Sequence, residues 1–304
     1  MDHLQSLRAF VAVADAAGFA AAARRLDCSP PAVTRAIAAL EGRLGVLLLQ
    51  RSTRSVRLTE TGERFLQDCR RILAELDEAE RAAAGVQGEA QGLLAITAPQ
   101  MFGRLHVAPL IADFLRAQPR VQLRSLFVDR LVHLLEEGID VAVRIAHLPD
   151  SGLTALPVGS LRRLVVGSPD YLAREGRPQT PQDLAQHQAI GFSFDALTPK
   201  PWRFRDGQVA HPRVAWVSNN NEVSIAAAEA GQGLTRCLAY QAAEGLRAGR
   251  LCIVLAEHEL PPVPVHIVYP AGRRAPAKVR AFVDFAREHL TAEPVLRGGG
   301  LGPD

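Results

Sequence analysis

The chain has 304 residues, of which 48% are apolar and 22% charged, and its formal net charge is +3. This length allows more than one domain, and no apolar run approaches the roughly 20 residues that span a membrane. The first residues lack the charged and apolar regions of a signal peptide. Four scattered cysteines without a Cys-x-x-Cys pair argue against a zinc site and a disulfide framework. We therefore expect a cytoplasmic protein with no membrane partner and no cofactor.

The charge is distributed unevenly along the chain. Residues 1–59 contain eight arginines and four acidic residues, whereas residues 60–90 contain four arginines and eight acidic residues. A local excess of positive charge favours contact with phosphates. The first 59 residues are therefore the part of the chain to search for a nucleic-acid-binding pattern.

Within that segment, two short helices are separated by a tight break. An alanine-rich run up to Leu26 predicts the first helix, and Asp27-Cys28-Ser29 forms the break. Ser29 is placed to cap a second helix, and Pro30 fits the first helical turn. The apolar face of this helix carries Val33, Ile37, Leu40 and Leu44, and the outer face carries Thr34, Arg35 and Arg43. This is the helix-turn-helix pattern that enters the DNA major groove.

A buried apolar run is expected at 46–49, and a short β-hairpin, or wing, at 50–59. The wing carries Arg51, Arg54 and Arg57, spaced to contact phosphates or the minor groove. An ordinary helical pair with solvated arginines is the simpler alternative. A capped second helix, a Thr/Arg outer face and an Arg-rich wing in succession favour DNA binding.

A long helix is predicted from Glu60, with no proline before Pro99. Its apolar positions alternate by four and three residues: Phe65, Cys69, Ile72, Leu76, Ala79, Ala83 and Val86. Such a heptad stripe favours a partner helix. Packing back on its own domain is the alternative. Homodimerisation is favoured, because two helix-turn-helix units must lie about one DNA turn apart to read a two-fold site. Residues 60–90 are therefore predicted to be a linker and dimerisation helix.

From Leu93, strands alternate with helices, which predicts an α/β fold with a parallel sheet and a ligand at the carboxyl ends of its strands. A second set of such elements predicts two lobes with a cleft between them. Lobe I is expected at about 91–162 and 265–290, and lobe II at about 163–264. A short helix is expected from Leu131 to Glu137, and residues 291–304 are expected to be disordered.

Residues across almost the whole chain resemble the LysR-type transcriptional regulators. The matching positions include Leu7 to Ala14, Ala21 to Leu26, Ser29, Pro31 to Arg35, Ile37, Leu40, Glu41, Leu44, Gly45, Leu48, Leu49, Arg51, Leu58 to Glu60, Gly62, Ala98, Pro99, Phe102 to Arg104, Asp129, Arg130, Glu137, Gly138, Asp140 to Arg144, Ala230, Gly231, Gly233 and Leu234. The resemblance implies a winged helix-turn-helix, a dimerising linker helix and a two-lobed effector domain like the periplasmic binding proteins. It also implies a homotetramer built as a dimer of dimers, and DNA bending that responds to a small-molecule effector.

Two positions depart from the family pattern. Pro30 stands where the family usually has Gln, and Ala20 where it often has Ser or Thr, so a cap or DNA contact is missing at each. The predicted DNA contacts are therefore Pro31, Thr34 and Arg35 in the groove and Arg51, Thr53 and Arg54 on the backbone.

By family position, the effector residues are expected in loops of both lobes: Ala98, Gln100, Met101, Val128, Arg144, Phe192, Asn219 and Asn220. Gln100 lies at a helix N-terminus, which favours an anion. Arg144 either pairs with an effector carboxylate or serves as a structural ion-pair partner. The asparagines either line the pocket or serve as turn residues. Nothing in the sequence identifies the effector.

Other functions fit the sequence less well. An enzyme is disfavoured because the chain lacks the common nucleophile, phosphate-binding, dinucleotide and zinc-protease motifs. A solute-binding protein without DNA function is disfavoured by the Arg-rich N-terminal module, and a constitutive architectural protein by the two-lobed domain. A redox regulator using Cys237 and Cys252 is a further alternative. The expected partners are promoter DNA, further copies of the chain and, for an activator, RNA polymerase.

Overall fold

The computed structural model describes residues 2–51, 56–83, 89–193, 201–270 and 275–297, without the side chains of 51, 74, 75, 78, 79 and 81–83. The chain divides into two compact units, Met1–Glu89 and Ala90–Asp304. No helix in the described ranges is both long and apolar enough to cross a membrane.

The first unit consists of three short helices, a two-stranded hairpin and a long helix. The elements are α1 (His3–Ala16), α2 (Phe19–Arg25), α3 (Pro30–Leu44), β1 (Leu49–Arg51), β2 (Val56–Leu58) and α4 (Glu60–Ala83). The helix-turn-helix is α2 and α3, and the antiparallel pair β1–β2 is the wing. The expected buried run at 46–49 is half wrong, because Val46 and Leu47 are exposed while Leu48 and Leu49 are buried.

The start of α3 differs in one respect from the expectation. Ser29 occupies the N-cap position with an extended backbone, but its side chain makes no capping hydrogen bond. Pro30 and Pro31 have no N–H to offer, and the amide of Ala32 donates to the Ser29 carbonyl oxygen at 2.9 Å. Few donors therefore remain for a side-chain cap, and the two prolines themselves set the helical start.

The core of the first unit joins α1, α3, α4 and the base of the wing. Phe10 of α1 is fully buried, and its ring centroid lies 5.8 Å from that of Phe65 on α4. At the surface, the Asp15 carboxylate of α1 accepts from Arg25 of α2 and from Arg70 of α4. The first turns of α4 are thus part of this unit's own packing.

The second unit contains two five-stranded sheets, which define its two lobes. Lobe I has β3 (Gly92–Ala98), β4 (Val121–Phe127), β5 (Val141–Ile145), β6 (Leu153–Leu161) and β14 (Val263–Pro270), in the spatial order β4-β3-β5-β14-β6. Its helices are α5 (Gln100–Phe102), which continues through a π-helical segment (Gly103–Val107) into α6 (Ala108–Ala117), and α10 (Ala277–Ala292).

Lobe II is built on the order β11-β8-β12-β7-β13. These strands are β7 (Arg163–Gly167), β8 (Gln188–Phe192), β11 (Arg213–Ser218), β12 (Leu234–Leu238) and β13 (Cys252–Val254), with helices α7 (Pro169–Glu175), α8 (Asn221–Glu229) and α9 (Ala239–Arg247) and a small hairpin, β9 (Trp202–Arg203) with β10 (Val209–Ala210). The chain passes from lobe I to lobe II at Arg162 and returns before β14.

The expected purely parallel sheet is wrong, because both sheets are mixed. In lobe I, β14 runs antiparallel to both β5 and β6; in lobe II, β12 and β13 run antiparallel to β7. A returning strand that re-enters lobe I between two others has no helical crossover to keep it parallel. The α/β class stands, with mixed rather than parallel pairing.

Two further expectations are corrected. The segment from Leu131 to Glu137 forms a single turn rather than a helix. The Leu131 carbonyl accepts from Arg130 and the Val132 carbonyl from Arg144, so these oxygens do not bond the amides a helix would supply. The expected disordered tail is ordered as far as 297, because α10 extends to Ala292 and Leu296 is buried. Residues 298–304 lie outside the described ranges.

Candidate functional site

The outer face of α3 presents three of the predicted DNA contacts to solvent. Pro31, Thr34 and Arg35 are all exposed, while Val33 and Ile37 on the opposite face are fully buried. The Thr34 hydroxyl donates to the Pro30 carbonyl oxygen at 3.0 Å. This bond holds the Thr34 side chain against the helix. Its methyl group and oxygen lone pairs remain available to contact another molecule.

The wing is anchored to α3 by one buried carboxylate. Glu41 Oε1 accepts from the amides of Leu48 at 2.9 Å and Leu49 at 3.1 Å. Thr59 closes the other side of the wing, because its hydroxyl donates to the Leu47 carbonyl and accepts from the amide of Gly62, three residues into the start of α4. The wing therefore holds a fixed position relative to α3.

Gly62 is required by this arrangement. A Cβ at this position would lie 2.1 Å from the Leu48 carbonyl oxygen, which no side chain can occupy. The closeness follows from the two bonds of Thr59, which draw the first turn of α4 against the base of the wing. Of the predicted wing contacts, Arg51 ends β1 with its side chain outside the description, and Thr53 and Arg54 lie outside the described residues.

Three arginines of the first unit are exposed and form neither an ion pair nor a side-chain hydrogen bond within the described part of the chain: Arg24, Arg35 and Arg57. Arg25, next to Arg24, is instead held by Asp15. Guanidinium groups without an acidic partner remain available to phosphates or base edges. Sequence reasoning selected Arg35 and placed Arg57 on the wing, but it missed Arg24, whose sequence position does not distinguish it from the paired Arg25.

The predicted dimerisation stripe on α4 is only partly free. Cys69 is fully buried in the core of the first unit, so it is not available to a second copy, whereas Phe65 packs against the same core but is only partly buried. Burial raises the pKa of the Cys69 thiol to about 11. Ile72 is 42% exposed and Leu76 is partly exposed, so both remain available. The side chains of Ala79 and Ala83 lie outside the description.

In lobe I, four predicted effector residues come together where β3 and β4 end. The amide of Val128 donates to the Ala98 carbonyl at 3.0 Å, and Gln100 and Met101 open the helical run that follows β3. The backbone amide of Gln100 donates to an Asp129 carboxylate oxygen at 3.0 Å. The start of this helix therefore holds the carboxylate of Asp129. The expectation that it attracts an anionic effector is wrong, because Asp129 already supplies the negative charge.

In lobe II, Phe192 ends β8, and Asn219 and Asn220 follow β11. The amide of Ser193 donates to the Ser218 carbonyl, which brings these two strand ends together. Asn220 caps α8, since its side-chain oxygen accepts from the Glu222 amide at 2.8 Å. Asn219 is exposed. Asn220 is thus a helix cap that follows the end of β11, next to the end of β8.

The two lobes touch across this edge. Arg104 of lobe I forms an ion pair with Glu222 of lobe II. The ring of Tyr240 on α9 packs edge-on against Phe102, with 5.3 Å between centroids, and burial raises the pKa of its hydroxyl. Near the crossings between lobes, Arg162 binds both carboxylate oxygens of Glu259 at 2.9 Å. The other seven predicted residues therefore lie in two groups, Ala98, Gln100, Met101 and Val128 in lobe I and Phe192, Asn219 and Asn220 in lobe II, and the Arg104–Glu222 pair joins the helices that follow β3 and β11.

Arg144 does not belong with those seven. It donates to the Val132 carbonyl oxygen at 2.9 Å and lines a separate groove on lobe I, which none of the seven lines. Adjacent residues on a strand face opposite sides of the sheet, so Arg144 points away from the core that holds its neighbour Val143. The placement of Arg144 in the inter-lobe set is corrected.

The alternative of a Cys237–Cys252 redox pair is contradicted by the geometry of lobe II. Cys237 pairs with Leu164 and belongs to the core on one face of the sheet, whereas Cys252 pairs with Gly167 and packs on the other face. The sheet backbone separates the two thiols. Burial also raises the pKa of Cys237 to about 12, which keeps the thiol protonated and unreactive.

A winged helix-turn-helix followed by a two-lobed α/β domain defines a class of ligand-responsive DNA-binding proteins. Residues 4–63 match the family described as "Bacterial regulatory helix-turn-helix protein, lysR family", and residues 87–291 match "LysR substrate binding domain". The chain belongs to the LysR family of DNA-binding transcriptional regulators with an effector-binding domain. The predicted fold class, family and general function are thereby confirmed.

Similar proteins span the full chain. The HTH-type transcriptional regulator PtxR of Pseudomonas aeruginosa is 36% identical over 295 residues, covering 96% of this chain and 94% of that protein. Among solved structures, CrgA of Neisseria meningitidis has a TM-score of 0.60 at 30% identity, covering 94% of this chain and 98% of CrgA. The Vibrio cholerae virulence activator AphB has a TM-score of 0.58 at 27% identity, covering 95% and 100%. The family consists of transcriptional regulators, which bind promoter DNA and form oligomers; they are not enzymes.

Proposed function

We propose that the outer face of α3 reads base edges in the major groove, with Thr34 and Arg35 as the main contacts and Pro31 packed beside them. The observation that carries this proposal is the free, exposed guanidinium of Arg35 next to Thr34 in the first turns of α3. The N-terminal residues of a recognition helix are those that reach the bases. An arginine can bind the O6 and N7 atoms of guanine with two hydrogen bonds.

The wing and α2 supply the phosphate contacts in this proposal. Arg57 on β2 and Arg24 on α2 are exposed cations on either side of α3 in sequence, and neither is paired within the described ranges. Arg51, Thr53 and Arg54 continue the wing and are proposed as further backbone contacts on the basis of the sequence. Phosphate contacts fix the register of the protein on DNA without reading its sequence.

A homodimer formed through the later part of α4 places two recognition helices on one two-fold site. Ile72 and Leu76 support this role because they are the apolar stripe residues that the unit's own core leaves accessible. Ala79 and Ala83 extend the stripe in the sequence. We propose a dimer of dimers as the full assembly, which acts on promoter DNA in the bacterial cytoplasm and, as an activator, contacts RNA polymerase.

The effector binds between the lobes in this proposal, at the edge where β3, β4 and β8 end. The support is that the predicted residues form one group at the strand ends of each lobe, and that the Arg104–Glu222 pair joins the helices that follow β3 and β11. A ligand that binds the closed arrangement more tightly than the open one shifts the population between them. The Gln100 side chain and the capping amide of Asn220 are polar groups available to orient it.

The experiment is DNA selection from a random pool with the full-length protein at 150 mM salt, followed by footprinting of the selected sequence and of the DNA beside the gene. We expect protection of a two-fold sequence whose half-sites lie one helical turn apart. Arg64→Ala is the matched control for Arg35→Ala in this selection, since Arg64 is an exposed arginine already paired with Glu60. Folded protein that enriches no sequence contradicts the proposal.

A further inference from the structure

Lobe I contains a groove that the proposed effector site does not use. It has a volume of about 1030 Å³ and lies on the face of the sheet that carries Ala142, Arg144 and His266, opposite the core containing Val143 and Ile267. Its walls come from the turn at 131–136 and from residues 147–153. Small-molecule sites range over roughly 300–1,000 Å³, so the groove can take an organic ligand.

The floor of the groove holds a cation without an acidic partner. Arg144 and His266 are neighbours on paired strands and both line the groove. Within the described ranges, the only hydrogen bond of Arg144 is to the Val132 carbonyl. The nearby carboxylate of Glu137 is already bound by both terminal nitrogens of Arg130, at 2.8 and 2.6 Å, and by the amide of His133. Burial lowers the pKa of Arg144, and the nearby charge of Glu137 offsets only part of this effect.

The ring of His266 adds a second polar group. Its Nδ1 atom is buried and has no hydrogen-bond partner among the described residues. An imidazole ring carries an N–H that can donate to a ligand. His266 therefore adds a hydrogen-bonding group to the groove next to Arg144.

The walls are apolar and unusually exposed. Leu131 and Leu135 are 72% and 74% exposed, while Val132 and Leu134 between them are buried. Leu148, Pro149 and Leu153 form the facing wall. Two carboxylates, Glu136 and Asp150, also line the groove, and neither pairs with Arg144. A groove with apolar walls and an unpaired cation at its floor is complementary to a ligand that has an anionic group and an apolar body.

We infer that this groove binds an organic carboxylate with an aromatic or branched apolar body. The carboxylate accepts hydrogen bonds from Arg144 and His266, and the apolar body covers Leu131 and Leu135. The site is separate from the inter-lobe site and does not depend on it. It gives lobe I a second ligand position whose occupancy is independent of lobe closure.

The test uses 3-phenylpropanoate as the probe and 3-phenylpropanamide as its neutral counterpart, each titrated calorimetrically into the full-length protein. We expect saturable binding of the acid and at least tenfold weaker binding of the amide, because a charge-assisted hydrogen bond is lost. A benzophenone derivative of the acid, cross-linked by light, locates the site by peptide mapping. We expect labelling within 131–155.

Two substitutions test the two halves of the site. Arg144→Gln removes the charge, and Leu135→Asp places a negative charge on a side chain that folding does not bury; each is expected to weaken the acid at least tenfold. Arg124→Gln is the matched control, because Arg124 also donates to a backbone carbonyl, that of Gly138, outside the groove. If Arg144→Gln perturbs folding, Leu135→Asp still tests the site, because Leu135 is exposed in the folded protein.

Three outcomes overturn the inference. The first is equal binding of acid and amide, and the second is labelling only at the inter-lobe residues. The third combines two results: the wild type does not bind the probe, and Leu135→Asp has a lower molar mass by light scattering than the wild type. Together these results mean that a second copy of the chain covers the groove. DNA binding measured on the same samples tests the proposed function separately.

Discussion

The Glu41 carboxylate on α3 accepts a hydrogen bond from the buried amide of Leu48, and a second from Leu49, so one side chain joins the recognition helix to the base of the wing. Glu41 is only 8% exposed. Its removal leaves two amides at a buried position with no acceptor. This relationship sets the position of the wing and is the first to test.

Glu41→Ala is expected to destabilise the first unit by about 2–3 kcal/mol, because unsatisfied buried donors cost about 1–3 kcal/mol each. Hydrogen exchange at the amides of α1 measures this as a 30- to 150-fold loss of protection. Glu60→Ala is the control, since the Glu60 side chain is 85% exposed and, among the described residues, pairs only with Arg64. Both tryptophans, Trp202 and Trp216, lie in the second unit, so unchanged tryptophan fluorescence shows that the effect is local. Equal protection in both variants would remove the anchoring role of Glu41.

Arg57→Ala is expected to weaken binding to specific and non-specific DNA by a similar factor. Each lost phosphate contact lowers the slope of log K against log salt by about 0.9. Fluorescence anisotropy at several salt concentrations measures both quantities. Arg64→Ala, which removes a paired arginine of the same unit, is expected to leave the slope unchanged. A slope that is insensitive to Arg57 would place the wing away from the phosphates.

The four cysteines are expected to differ in reactivity toward a thiol reagent in the native protein. Cys28 is exposed and reacts first, and partly exposed Cys252 follows. Cys69 and Cys237 react only after unfolding, because burial raises their pKa values to about 11 and 12 and leaves almost no thiolate at pH 8.

The same experiment under oxidising conditions tests the redox alternative. Since Cys237 and Cys252 pack on opposite faces of the lobe II sheet, diamide is expected to form no disulfide between them. Peptide mapping without reduction detects such a bond. Recovery of a Cys237–Cys252 peptide would restore the redox reading.

Ile72→Asp is expected to lower the molar mass measured by light scattering at micromolar concentration. The substitution places a charge on an apolar residue that is 42% exposed and lies in the predicted interface. Leu44→Asp is the matched control, because Leu44 is an exposed leucine of the same unit outside the α4 stripe. An intact oligomer with Ile72→Asp would move the interface elsewhere.

Local sequence signals predicted the recognition helix well. The Ser29-Pro30 pair marks the start of α3, because proline fits only the first turn, and Thr59 with Gly62 marks the start of α4. These features depend on residues near one another in sequence. They were therefore readable without any knowledge of tertiary contacts.

The heptad stripe on α4 shows where sequence reasoning reached its limit. An apolar period identifies a buried face but not the surface that buries it, so Cys69 was assigned to a dimer although the core of its own unit covers it, and Phe65 is partly covered by Phe10. β6 was missed for a different reason. Pro157 and Gly159 interrupt its pattern, and they are accommodated because β6 is the edge strand of lobe I.

The inter-lobe site was predicted in part. Its loops follow from the rule that ligands bind beyond the carboxyl ends of parallel strands. Asp129 bonds the backbone amide of Gln100, which lies 29 residues away in the sequence. Arg144 belongs to a separate groove because β5 pairs with β14, a strand far along the chain. The sequence contains no local signal for either contact.

Arg35 on the outer face of α3 is expected to read DNA sequence. The most direct measurement is parallel selection from a random DNA pool with the wild type, Arg35→Ala and Arg57→Ala. We expect Arg35→Ala to lose preference at one base pair in each half-site, worth about 1–3 kcal/mol, while Arg57→Ala keeps the wild-type preference at reduced affinity. Identical selected sequences from wild type and Arg35→Ala would contradict the claim.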